Sequence, residues 1–154
     1  MANTQAMCSS FKSQLMLGQH ALGDGTGVPA RTISTPDVVK AALYFASATF
    51  NASTTAYSAT GEVGNSGTYA AGGATITMAT PPSTDGTAGI FTPSASIVHT
   101  SFTAASFDCV LFYNSSQSNK AISVHTFGTT SIVAGTFTLT MPAHAAATAL
   151  IAIT

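Results

Sequence analysis

Residues 131–141 read Ser-Ile-Val-Ala-Gly-Thr-Phe-Thr-Leu-Thr-Met. From residue 136 the alternation is strict, with Phe137, Leu139 and Met141 on one face and Thr136, Thr138 and Thr140 on the other. A repeat of two is the signature of a half-buried strand. Threonine suits the outer face, because it is β-branched and keeps that face polar without charge. Residues 107–113, Phe-Asp-Cys-Val-Leu-Phe-Tyr, are nearly continuous in apolar character and read as a central strand.

Further strands are expected at 38–46, 67–79, 89–91, 96–99, 121–127 and 148–153. Within 67–79, Ala74, Ile76 and Met78 share a face, and Gly72-Gly73 marks a bulge or a tight approach. Residues 51–61 are polar and Ser/Thr-rich and read as a loop or one helical turn. Pro81-Pro82 through Gly86 is a firm break, and 114–116 and 128–130 supply turns. Short strands joined by turns, with no helices between them, predict an antiparallel β-sandwich of jelly-roll or immunoglobulin-like type.

The one helical pattern lies at 4–20. Met7, Phe11, Leu15 and Leu22 recur near helical spacing, with Met16 beside them and Ser9, Ser10, Ser13 and Gln14 opposite. Asn3 or Thr4 would cap this helix, and Gly18, Gly23, Gly25 and Gly27 would end it. Residues up to 36 continue as a Gly/Pro-rich arm. The chain therefore divides into a helix and arm at 1–36 and a β-sandwich domain at 37–154. The pattern leaves open whether the helix packs on its own domain or on a neighbouring subunit.

Composition speaks about assembly. Charged residues make up 6% of the 154, against roughly a quarter in an ordinary domain. Ser and Thr fill more than a quarter of the positions, and the net charge is -1. Such a surface favours association, and threonine-rich strand edges lack the charges that block strand addition. An oligomer is expected. The four Lys and Arg residues, Lys12, Arg31, Lys40 and Lys120, are too scattered for a nucleic-acid footprint or an acidic membrane surface. No run reaches the ~18–20 apolar residues of a membrane span. The first residues have no basic stretch and no apolar stretch, so no export signal is expected.

Chemistry is sparse. The acids Asp24, Asp37, Glu62, Asp85 and Asp108 are dispersed, and three of them sit in turn-like stretches. His20, His99, His125 and His144 form no metal-binding motif, so a site would need His99, His125 and a carboxylate assembled in space. Cys109 beside Asp108, with His125 on a nearby strand, outlines a nucleophile and base without an orienting third group. Cys8 and Cys109 read as free thiols. The glycines at 23–27 and 72–73 fit no nucleotide-binding loop. No catalytic, cofactor-binding or metal residue is expected, and no enzyme.

Four stretches together resemble a group of small tailed-bacteriophage virion structural proteins. They are Lys-Ala-Ala-Leu-Tyr at 40–44, Thr-Thr-Ala-Tyr-Ser-Ala-Thr-Gly-Glu-Val at 54–63, Gly-Thr-Tyr-Ala-Ala-Gly-Gly at 67–73 and Gly-Thr-Phe-Thr-Leu-Thr-Met-Pro at 135–142. Members of that group often carry more charge and a Trp near the last strand, where this chain has Met141. The resemblance implies a virion location, with assembly in the host cytoplasm. A capsid decoration or cement protein that bridges major capsid subunits and copies of itself fits best. A tail or head–tail connector component is the alternative. A carbohydrate-binding host-recognition module would want exposed aromatics on one face, and the chain has no Trp and four dispersed tyrosines.

Overall fold

The structure, a computed structural model, describes residues 2–22 and 36–154. Its elements are β1 (Ala6–Met7), α1 (Ser9–Met16), β2 (Val39–Phe45), β3 (Ala74–Thr75), β4 (Ser83–Asp85), β5 (Ala88–Phe91), β6 (Ile97–Asn114), β7 (Lys120–Leu139) and β8 (Ile151–Ile153). All pairings are antiparallel, in one sheet ordered β1-β7-β6-β2-β3 and a second ordered β4-β5-β8. The architecture is the expected mainly-β sandwich with an N-terminal helix.

The hairpin β6–β7 is the frame, and it replaces four expected strands with two. Residues 97–99 and 107–113 belong to one strand, as do 121–127 and 131–139. The expected turn at 128–130 is a bulge inside β7. The ladder shifts register five times between Ile97↔Leu139 and Asn114↔Lys120. Extra residues fall on both strands, near Ser101 and Ser106 (φ 52 for both) on β6, and near Ala134 (φ 47), Gly128 (φ 77) and Ile122 on β7. Insertions on opposite strands partly offset one another in register, so pairing continues, while each one bends and twists the ribbon.

A repeated Ser-Phe dipeptide makes the bends favourable. Ser101 and Ser106 are each followed by a fully buried phenylalanine, Phe102 and Phe107. A left-handed residue costs about 1–2 kcal/mol, and burying a Phe returns roughly 2–3 kcal/mol. The accumulated bend is large. Phe127 and Phe137 lie ten positions apart on β7, about 33 Å if straight, yet their ring centroids are 5.6 Å apart. The hairpin therefore folds back over itself around Phe102, Phe107, Phe127 and Phe137, with Phe107 edge-on to Phe137 at 5.1 Å. Phe137 and Leu139 face inward as their alternation predicts, with Thr136 and Thr138 exposed.

The helix is shorter than its sequence pattern and begins later. Asn3 does not cap it. Its amide donates to Phe45 O at 3.2 Å and to Asp108 Oδ1 at 2.6 Å, and its Oδ1 accepts from Phe50 N–H at 2.9 Å. Residues 6–7 are then drawn into pairing with Ser123 and Val124. The N-cap is Cys8, with no side-chain cap bond. Gly18 (φ 65) ends the helix, where Gly18 N–H bonds Leu15 O and Gln19 N–H bonds Gln14 O. That is a Schellman closure, which the left-handed glycine permits. Phe11 and Cys8 are fully buried, so α1 packs on its own domain. The expected stops at Gly23, Gly25 and Gly27, and most of the arm, lie outside the described residues.

Two smaller differences have clear causes. Residues 67–79 give only the short β3, because Gly72 and Gly73 (φ 92 and 71) turn the chain against β2. A Cβ on Gly73 would lie 2.2 Å from Ala41 O, so the tight approach is the correct alternative there. The break at 81–86 contains β4, paired to β5 across Gly86.

Candidate functional site

Among the described residues, two polar networks and a bare stretch of the larger sheet's edge compete for the role of functional site. The first network centres on Glu62. Its carboxylate accepts from Tyr57 OH at 2.6 Å, Tyr69 OH at 2.8 Å and Gly72 N–H at 2.6 Å. Tyr113 OH donates to Gly72 O at 2.6 Å, and Tyr44 OH to Ser58 O at 2.6 Å. Tyr69 OH also accepts from Leu43 N–H. Burial, with the Glu62 charge adding to it, pushes all four phenols above their ordinary values, so they stay protonated donors. The tyrosines that are dispersed in sequence thus converge, but inward: Tyr44, Tyr69 and Tyr113 are buried, and Tyr57 stacks on Tyr113 at 4.7 Å. No exposed aromatic platform results. The cluster pins residues 57–73 along the outer edge of β2.

The second network ties the end of α1 to the base of the hairpin. The Asn114 amide donates to Asp37 Oδ2 at 2.6 Å and to His20 Nδ1 at 3.0 Å, and its Oδ1 accepts from Ser116 N–H. His20 Nδ1 is thereby an acceptor, so Nε2–H donates to Gln14 Oε1 at 2.9 Å. Burial lowers the His20 pKa, and Lys120 adds to that against the pull of Asp37. Burial pushes the Asp37 carboxyl up, but bonds from Ala21 N–H, Gln117 and Asn114 outweigh it and hold the carboxyl below its ordinary value. Every side-chain polar atom of Asn114, Asp37 and His20 has a structural partner, which leaves none of the three as a free reactive group.

The residues weighed for chemistry are kept apart. His99 pairs opposite Phe137 and its ring meets Tyr69 and Phe102, whereas His125 pairs opposite Val110 and its ring meets Phe112, so the two share no ring contact. His99 packs edge-on to Tyr69 at 5.0 Å, and burial lowers its pKa. Cys109 pairs with Thr126, so Cys109 and His125 point to opposite faces of the sheet. Burial, then the Asp108 charge, pushes the Cys109 thiol up to about 12, and burial pushes Cys8 up to about 11. Both thiols are free and buried. Asp108 is held by Asn3, Asp85 accepts from Ala146 N–H, and His144 meets Ser83 at 2.8 Å. Asp24 lies outside the described residues. Among the described residues no group of three His, Cys, Asp or Glu is placed to hold a metal.

Among the described residues several grooves reach ligand size. One of about 670 Å³ runs between α1 and the second sheet, lined by Phe11, Leu15, Ile90 and Ile151 among others. A second of about 720 Å³ follows residues 47–61 and is lined by hydroxyls and small side chains. Neither gathers an acid and a base.

The hairpin surface is the most distinctive feature. No charged residue occurs between Asp85 and Asp108 or after Lys120. The folded-back half of the hairpin, 97–106 with 131–139, is therefore free of charge, and Val98 and Val133 are exposed on it (52% and 84%). Its β6 edge is covered: Thr68 N–H bonds Thr100 O, Thr100 N–H bonds Thr68 Oγ1, and Thr103 N–H bonds Ser66 Oγ. Its β7 edge is not. β1 pairs with β7 only at Ser123 and Val124, and beyond them no hydrogen bond from an element other than β6 reaches β7 among the described residues. Sequence patterning pointed to unprotected edges in general. It gave no sign of which edge, because coverage by Ser66 and Thr68 depends on tertiary contact.

No family model, no curated protein and no solved structure matches this chain.

Proposed function

We propose that the chain is a bacteriophage virion structural protein, and that it works as a capsid decoration or cement protein bridging major capsid subunits. The observation that carries this reading is the charge-free folded-back hairpin with one bare edge. Such a surface is costly for a free monomer and useful in a permanent assembly. The four sequence stretches that resemble phage virion proteins support a virion location. The Glu62 and Asp37 networks add rigidity, which a load-bearing clamp needs, without offering a reactive group. The reading includes no catalysis and no cofactor, and its partners are the major capsid protein and further copies of this chain. Contacts repeated over a lattice compensate for weak single sites, since a tethered contact gains effective concentration.

Particles assembled without the protein test this. They should lose integrity under heating and osmotic shock that complete particles survive, and added protein should restore resistance. Equal survival, or labelled protein found on tails alone, would replace the decoration reading with the tail or connector alternative.

A further inference from the structure

We propose that the uncovered edge of β7, from about Ile132 to Leu139, is where two copies of this chain pair, antiparallel, across a two-fold axis. The inference rests on the assembly reading above and names the surface through which copies meet. Three observations carry it.

The first is selective coverage within the larger sheet. The outer edge of β2 is capped by β3, by Tyr69 OH on Leu43 N–H, by Val63 N–H on Leu43 O and by Gly61 O on Phe45 N–H. The β6 edge is capped by Ser66 and Thr68. The β7 edge beyond Val124 has no such partner among the described residues. Unpaired backbone groups of this kind are a template for another strand.

The second is the inner face beside that edge. Ile132, Phe137 and Leu139 are only partly buried, although they pack on the core. A strand added beside β7 would place its own inward side chains next to them and complete their cover.

The third selects the occupant. The edge offers no charge to a partner, and a charged strand laid there would be desolvated without compensation. The complementary strand must be free of charge over the same length, and β7 of a second copy is such a strand. Antiparallel pairing of like edges is self-complementary and uses up the edge, so it closes at a pair instead of growing a fibre. The bulge at Gly128 bounds the pairing segment on one side, and the bulge at Ala134 bends the strand within it.

The test combines light scattering with crosslinking of the purified full chain. Thr136 and Thr138 are exposed on this segment, and Thr75, exposed on β3, is a control at the far side of the sheet. Thr136→Lys/Thr138→Lys should halve the assembly unit while leaving the thermal unfolding of the domain cooperative, and Thr75→Lys should leave the unit unchanged. Of the single variants Val133→Cys, Thr136→Cys and Thr138→Cys, the one nearest the axis should form a disulfide-linked dimer under mild oxidation. Thr75→Cys should not. The native thiols interfere little, because both are buried. An oligomer that survives the double lysine variant and gives no crosslink at these positions would overturn the β7 edge and leave the assembly reading standing. A wild-type monomer at high concentration would overturn both.

Discussion

Glu62→Ala is expected to lower the unfolding free energy by about 3–5 kcal/mol, since a hydrogen bond to a charged group contributes ~1.5–3 kcal/mol and these three are part-buried. The carboxylate serves three donors at once, Tyr57 OH, Tyr69 OH and Gly72 N–H. Truncation leaves all three without their acceptor and loosens the segment that caps β2. For a chain of this size a loss of that order shifts the melting temperature by roughly 10 °C. Glu62→Gln keeps one acceptor oxygen but turns an amide donor toward a donor, so its loss should fall between those of wild type and alanine. Tyr57→Phe removes a single bond from a half-exposed ring and should cost about 1 kcal/mol. Denaturant titration of the three variants at one protein concentration checks the order. A Glu62→Ala protein as stable as wild type would mean that water replaces the carboxylate and that the cluster is incidental.

The second large effect is acid lability. Burial lowers the His125 pKa to about 4 from its ordinary 6.5, and burial lowers His20 and His99 as well. A depressed folded-state pKa means that the fold prefers the neutral ring. The associated stability is complete above the unfolded value near 6.5 and declines as the pH falls toward 4, where the folded ring also binds its proton. His125 alone should account for roughly 2–3 kcal/mol over that window. Asp37, held below its ordinary value, acts in the same direction at still lower pH. Unfolding curves taken stepwise across the window should show the loss in wild type and a much smaller slope in His125→Gln, which retains a polar group for the Ser123 hydroxyl. Stability that stays flat through the window would show that His125 is solvated in the folded protein.

Sequence patterning carried the class of the fold because class depends on local periodicity. The alternation at 136–141 and the apolar run at 107–113 sit in the structure as they read. What it divided wrongly was continuity. Gly128-Thr129-Thr130 has turn chemistry, and only the partner strand determines whether such residues reverse the chain or bulge within it. Asn3 has cap chemistry as well, yet the carbonyl of Phe45 and the carboxylate of Asp108 compete successfully for its amide. The Glu62 hub was invisible for a different reason. Tyr44, Tyr57, Tyr69 and Tyr113 share no period, and they meet only because Gly72 and Gly73 turn the chain back on β2. The bare β7 edge was half legible: the lack of charge is written in the sequence, and the lack of cover is not.

Copy number in purified particles tests the central claim most directly. Quantitative mass spectrometry against the major capsid protein should find this chain in a fixed ratio of the same order as the capsid subunit. A count that matches a single ring at one vertex or the tail tip, or absence from the particle, would contradict the decoration account.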